Sequence, residues 1–257
     1  LLIRIRVAFC GPYFWFDDGA AVKNQISFFL CKLQSARSIP PLFQRTGKID
    51  MKVAIVTLEG FNELDSFVAL SILNRAKADG VHAEIVGNGE TVTSMNGVCV
   101  SVQKPLSFVK DADMVLLGSG IHSRDHINDP EIMDHLTLDP SRQLIGAQCS
   151  GVLFLYRMGL LPATVTTDSK TRPLIARTNA VIEDRPLVAQ GNIVTSGGCL
   201  SSGYLAGWFL AKAVGLEKAI AILETVAPVG QRSQFAKQAR EIIGKQLDVP
   251  AKRPLYC

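Results

Sequence analysis

Residues 144–159 read Leu-Ile-Gly-Ala-Gln-Cys-Ser-Gly-Val-Leu-Phe-Leu-Tyr-Arg-Met-Gly. The first four are an unbroken apolar run, as in a strand buried on both faces. From Ser150 to Met158 the apolar spacing becomes helical, and Gly159 closes the helix. Between them stands Gln148-Cys149-Ser150-Gly151, a small-residue turn from strand to helix that lifts one side chain clear of the sheet. Such a turn is the setting of a nucleophile elbow.

The same alternation extends in both directions. Lys52–Leu58, His82–Val86, Asp113–Leu117 and Leu144–Ala147 are short apolar runs that read as strands, followed by shorter ones at Ala163–Thr166, Leu187–Ala189 and Ile193–Thr195. Helices are expected at Glu63–Ala78, Pro130–Leu136, Ser150–Met158, Leu200–Val214, Leu216–Val226 and Ser233–Leu247, and a hairpin turning at Asn96-Gly97 over Thr91–Val102. Continuous rather than alternating apolar strands, interleaved with helices, imply an α/β fold with a mostly parallel sheet covered on both faces. Chemistry in such sheets gathers at the carboxyl ends of the strands. Three loops qualify: Glu59–Asp65, Gly118–His126 and Gln148–Gly151.

Of the 257 residues, 47% are hydrophobic, which excludes disorder over most of the length, and no run approaches a membrane span. Residues 1–50 carry seven basic and three acidic side chains, while residues 51–257 carry twenty of each, so the net charge of +4 belongs to the first fifty residues. That segment lacks a clean period and precedes the first Met, Met51. It is expected to be an extension without a fold of its own, disordered or upstream of a natural start at Met51, with residues 51–257 as the domain. A net-neutral domain offers no basic face for nucleic acid. Six cysteines, at 10, 31, 99, 149, 199 and 257, are too dispersed for a metal site, so none is expected, and most should be inert packing groups in a reducing, cytoplasmic setting.

Cys149 is the exception. The helix start should draw its thiol pKa down and supply Ser150 N–H to an oxyanion. All four histidines (82, 122, 126, 135) precede it, so a Cys-then-His order is impossible; His122 or His126 on the loop after the third strand remains within reach. The other partner is Asp65, a carboxyl amid apolar neighbours whose pKa burial would raise. Glu63 has the same chemistry but is expected to face water. Gly118-Ser119-Gly120 lacks the continuation of a nucleotide loop and is better read as an oxyanion loop.

Asp65 together with Gln148-Cys149-Ser150-Gly151, Gly159-Leu160-Leu161, Val165-Thr166-Thr167 and Gly191–Gly198 resembles the ThiJ/PfpI superfamily, a class I glutamine amidotransferase-like group. The resemblance runs from Met51 to about Gly230. It implies a flavodoxin-like three-layer sandwich, a homodimer, no cofactor and a small-molecule substrate. Carried over by position, Cys149 is the nucleophile, Asp65 the acid, and Gly120 with Ser150 the oxyanion donors. Asp at 65 and a hydroxyl residue after the Cys look most like the isocyanide hydratase branch and the amidase-like domains of AraC-type regulators. The resemblance thus implies a hydratase (a lyase) or an amidase-like hydrolase, the alternative being a non-catalytic or redox-sensing stress protein. Asp168 stands where the family carries a His; it and His122 are candidate pocket residues.

Overall fold

The computed structural model describes residues 50–249. The expectations for the N-terminal extension therefore lie outside the described residues, apart from Asp50. Seven strands form the main sheet: β1 (Met51–Val56), β2 (Val81–Gly87), β5 (Lys104–Pro105), β6 (Met114–Leu117), β7 (Leu144–Gln148), β10 (Leu187–Gln190) and β11 (Ile193–Ser196). Their order is β10-β11-β7-β6-β1-β2-β5, and every neighbouring pair is parallel except β10 with β11. β3 (Thr91–Thr93) and β4 (Cys99–Ser101) form the expected hairpin, and β8 (Thr164–Val165) pairs with β9 (Val181–Ile182).

The central strands bury both faces because both are covered. On one side Val56, Val115, Leu117 and Ile145 share a core with Leu106, Val109, Ile132 and the apolar face of α4 (Val152–Arg157). On the other lie α1 (Glu63–Leu73) and α6 (Ser202–Val214), with α7 (Leu216–Glu224) and α8 (Arg232–Gly244) packed outside α6. Short helices α2 (Ser123–His126), α3 (Pro130–Met133) and α5 (Arg172–Ile175) complete the connections. Gly146 in β7 faces Leu205 and Phe209 of α6, which leaves a Cβ there only 3.0 Å from the Phe209 ring.

Several expected elements are shorter than their sequence pattern. The helix predicted over Glu63–Ala78 is α at Glu63–Leu73 and then 3₁₀ over Asn74–Asp79, with a break at Ala76 (φ −96°, ψ 16°) before Gly80. Asn74 explains the change, since its side chain donates to Ala83 O and accepts from Ala83 N, both at 3.0 Å. A polar side chain that satisfies a strand cannot also continue a helical apolar face. Leu64, counted on that face, is exposed. At the same edge Gln103 Oε1 accepts from Ile85 N at 2.7 Å. At the opposite edge Gln246 Oε1 accepts from Ala189 N at 2.8 Å.

Strand order reverses between β1 and β6, the crevice where α/β sheets place their chemistry. The chain after β7 must pass over the end of β6, and Gly151 permits it. A Cβ there would lie 2.3 Å from the Leu117 carbonyl oxygen. Gly203 in α6 is the opposite case, with only Ile72 Cδ1 at 3.6 Å. Gly151→Ala is therefore expected to cost more than about 2 kcal/mol in urea denaturation, whereas Gly203→Ala should fall within about 1 kcal/mol of wild type.

Candidate active site

Three strand ends converge at the reversal. α1 follows β1, Gly118-Ser119-Gly120 follows β6, and a 3₁₀ turn, Cys149–Gly151, follows β7 and leads into α4. Cys149 has φ +48°, the one positive φ at a non-glycine residue among the described residues. An L-residue adopts that conformation only under local constraint. Here the close passage of Gly151 over β6 supplies it, and it sets the thiol at the mouth of the turn. The elbow is therefore present as the sequence reads. Cys149 as a whole is 4% exposed.

Asp65 sits in the first turn of α1, but it does not cap the helix. That role belongs to Asn62, whose Oδ1 accepts from Leu64 N at 3.1 Å. The Asp65 side chain is turned inward and wholly buried. Its Oδ2 accepts from the Ser119 hydroxyl, and its Oδ1 has no hydrogen-bond partner. Ser202 Oγ donates to the Asp65 carbonyl at 2.9 Å and fixes this turn of α1 against α6. Glu63 departs from expectation: it is half-buried, accepting from Ser94 Oγ at 2.5 Å and Asn96 Nδ2 at 2.9 Å, which holds its carboxyl below its ordinary pKa. It is a brace for the hairpin.

The sulfur of Cys149, the sulfur of Cys199 and a carboxylate oxygen of Asp65 all lie within 4.8 Å of one another. Two sulfurs and an oxygen form a donor set that soft divalent cations accept. Dispersal along the chain argues against any such cluster; the parallel sheet overrides it. Ser196 of β11 pairs with Gln148 of β7, so residues that follow the two strands emerge side by side. Cys199 is the residue that inspection of the sequence passes over. Its signal lies in Gly197-Gly198-Cys199, which follows an apolar strand just as Cys149 does. Asn62 Nδ2 donates to Cys199 Sγ at 3.1 Å. Gln148 Nε2 lies 3.5 Å from Cys149 Sγ and donates to Gly198 O at 2.9 Å.

Burial pushes the Asp65 carboxyl above its ordinary pKa, against the lowering effect of the Ser119 hydroxyl. Burial likewise drives the Cys149 thiol far above its usual range, and the negative charge of Asp65 adds to it. This reverses the expected depression of the thiol pKa. α4 has only six residues and follows a 3₁₀ turn, so its N–H groups do not outweigh a dry site beside a carboxylate. Both shifts disfavour a second negative charge on the Cys149–Asp65 pair.

The remaining candidates frame this pair. Ser150 Oγ lies 2.8 Å from Ser123 Oγ and 3.3 Å from Gly120 N, and Gly120 N–H also donates to Ser123 Oγ at 3.1 Å. Both expected oxyanion residues are therefore tied into one hydroxyl cluster. Ser150 N–H, at the start of the turn, has no carbonyl available within the helix. His122 is exposed, lies against Gly60 and approaches Asp125 Oδ2 at 3.6 Å. Asp168 Oδ1 accepts from Lys170 N and Thr171 N at 2.8 and 3.1 Å, yet its charge is felt at both Asp65 and Cys149. Thr167 Oγ1 donates to the Cys149 carbonyl at 2.9 Å and holds the elbow from outside.

A flavodoxin-like α/β sandwich with a strained cysteine at an elbow and a buried carboxyl across from it defines a class of cysteine-centred proteins. The DJ-1/PfpI family matches residues 51–211, more than half the chain, and the chain belongs to that family. Among solved structures it is similar to Drosophila melanogaster DJ-1beta (22% identity, TM-score 0.63, covering 69% of this chain and 98% of that one). Schizosaccharomyces pombe DJ-1 aligns at 19% identity with TM-score 0.61 over 69% and 99% of the two chains. A THiJ/PfpI family protein from Pseudomonas syringae aligns at 18% identity with TM-score 0.61 over 82% and 99%. No curated protein matches the sequence. Among the described residues no helix is long and apolar enough to cross a membrane.

A buried acid with a raised pKa binds its proton more tightly in the folded than in the unfolded chain. Its contribution to stability is full below the unfolded pKa and is lost as pH rises through the folded one. Asp65→Asn removes that dependence. The stability of the variant relative to wild type is therefore expected to improve as pH rises above the ordinary carboxyl range in paired thermal melts; a difference flat with pH would show that Asp65 ionises as freely folded as unfolded.

Proposed function

We propose that the chain is a cysteine-dependent enzyme acting on small molecules, a hydratase or amidase-like hydrolase with isocyanides as the substrate class. The observation that supports this most directly is the Asp65 carboxyl, wholly buried, with Oδ1 unpartnered and an oxygen within 4.8 Å of the Cys149 sulfur. Such an acid can accept the thiol proton as the sulfur attacks and return it to the substrate, which a solvated carboxylate does poorly.

In this reading Cys149 Sγ bonds to the terminal isocyanide carbon while its proton passes to Asp65. Asp65 delivers that proton to the same carbon, giving a thioimidate. Water then adds at that carbon, the nitrogen gains a proton, and the C–S bond breaks to release an N-substituted formamide and regenerate the thiol. Ser150 N–H and Gly120 N–H, the latter drawn from its hydroxyl partners, hold the oxygen of the tetrahedral intermediate. Asp168 contributes charge that disfavours a second negative charge on the pair, and His122 takes no chemical step. The resemblance supports a homodimer acting in the cytoplasm.

The test is formamide production from an alkyl or aryl isocyanide. Cys149→Ala is expected to abolish it, and Asp65→Asn to lower it by roughly 10²–10⁴-fold. Wild-type turnover no greater than that of Cys149→Ala would end the hydratase reading. A second reading, a redox-sensing protein on the same scaffold, draws on the second thiol beside Cys149; thiol oxidation without turnover of any isocyanide or amide would favour it.

A further inference from the structure

We propose that Cys199 and Cys149 form a redox pair that closes into a disulfide, with Cys199 as the thiol that meets peroxide and Cys149 as the thiol that resolves it. The inference depends only on the placement of the two sulfurs, so it stands or falls separately from the substrate.

Three observations carry it. The two sulfurs lie within 4.8 Å of each other, and a disulfide needs about 2.05 Å. The gap must therefore close by a small movement, and the chain before Cys199 has room to make it. Gly198 is exposed with φ +82°, and a Cβ there would find its nearest heavy atom, Ser201 Oγ, 4.0 Å away. Second, the two thiols are unequal. Cys149 is buried, whereas Cys199 is half-buried; burial and the Asp65 charge raise the Cys199 thiol above its ordinary pKa, and the Asn62 Nδ2 hydrogen bond to its sulfur, at 3.1 Å, offsets part of that rise. Peroxide reacts with thiolates it can reach, so the outer sulfur is the first target. Third, Asp65 stands within the same 4.8 Å as a base for the inner thiol.

Hydrogen peroxide takes two electrons from the Cys199 thiolate; its O–O bond breaks, the sulfur becomes a sulfenic acid, and hydroxide leaves to be protonated as water. Cys149 Sγ then attacks the Cys199 sulfur as its proton passes to Asp65. The S–S bond forms, the S–O bond breaks, and the departing hydroxide takes that proton from Asp65 as a second water. Closure removes the nucleophile from use until a dithiol reduces the bond.

Tryptic mapping of the full chain tests this, because Cys149 lies on peptide 143–157 and Cys199 on peptide 178–212, each holding no other cysteine. With about one equivalent of peroxide, wild type is expected to yield these two peptides linked, separable by dithiothreitol, and with Cys149 no longer alkylated before reduction. Cys149→Ala should instead accumulate dimedone-trapped sulfenic acid on 178–212. In Cys199→Ser, Cys149 should remain an alkylatable thiol under the same dose. Unlinked peptides in wild type, or Cys149 oxidised in Cys199→Ser as fast as in wild type, would overturn the proposal; the wild-type result needs no variant to fold.

Discussion

A carboxyl group without access to water, beside a thiol, is a costly arrangement, and Asp65 is the one charged-type side chain buried in this way among the described residues. Removing a carboxylate from solvent costs several kcal/mol even after relaxation, and leaving one oxygen without a partner adds to that cost. Asp65 meets both conditions. What offsets the cost is apolar burial elsewhere: β1 and β6 are packed on both faces, and α1 is pinned to α6 through the Ser202 hydroxyl. An aliphatic residue at position 65 would suit the core better. Its absence is the physical reason to regard the position as serving chemistry rather than stability.

The strained turn at Cys149 depends on the same framework. A positive φ at a residue bearing a Cβ is held here by contacts on three sides. Gly151 passes over the Leu117 carbonyl, Thr167 grips the Cys149 carbonyl, and Gln148 spans to Gly198. The elbow is thus a product of neighbouring strand ends, and its geometry belongs to the sheet as much as to the turn.

Much of this is readable in the chain itself. The strand-turn-helix pattern of residues 144–159 locates Cys149, and the apolar runs give the parallel sheet, because periodicity and small-residue turns are local properties. Asp65 is legible for a related reason: an acid among apolar residues just past a strand end stands out against its immediate neighbours. Cys199 is not legible, since its proximity to Cys149 arises from β11 lying beside β7, a pairing between residues about fifty apart. The direction of the Cys149 pKa is misread from sequence because a helix start announces itself there whereas desolvation does not. Glu63 misleads in a similar way, its partners Ser94 and Asn96 coming from a hairpin about thirty residues on.

The amide side chains along the sheet margins have a consequence beyond local order. Asn74 occupies both hydrogen-bonding groups of Ala83, Gln103 occupies Ile85 N, and β5 ends in Pro105, which has no N–H to offer. Gln246 does the same for Ala189 at the far side. A backbone group already satisfied by a side chain gives an incoming strand nothing to pair with. At these positions the sheet margin offers an incoming strand no free group, through side chains that a count of the hydrophobic core would pass over.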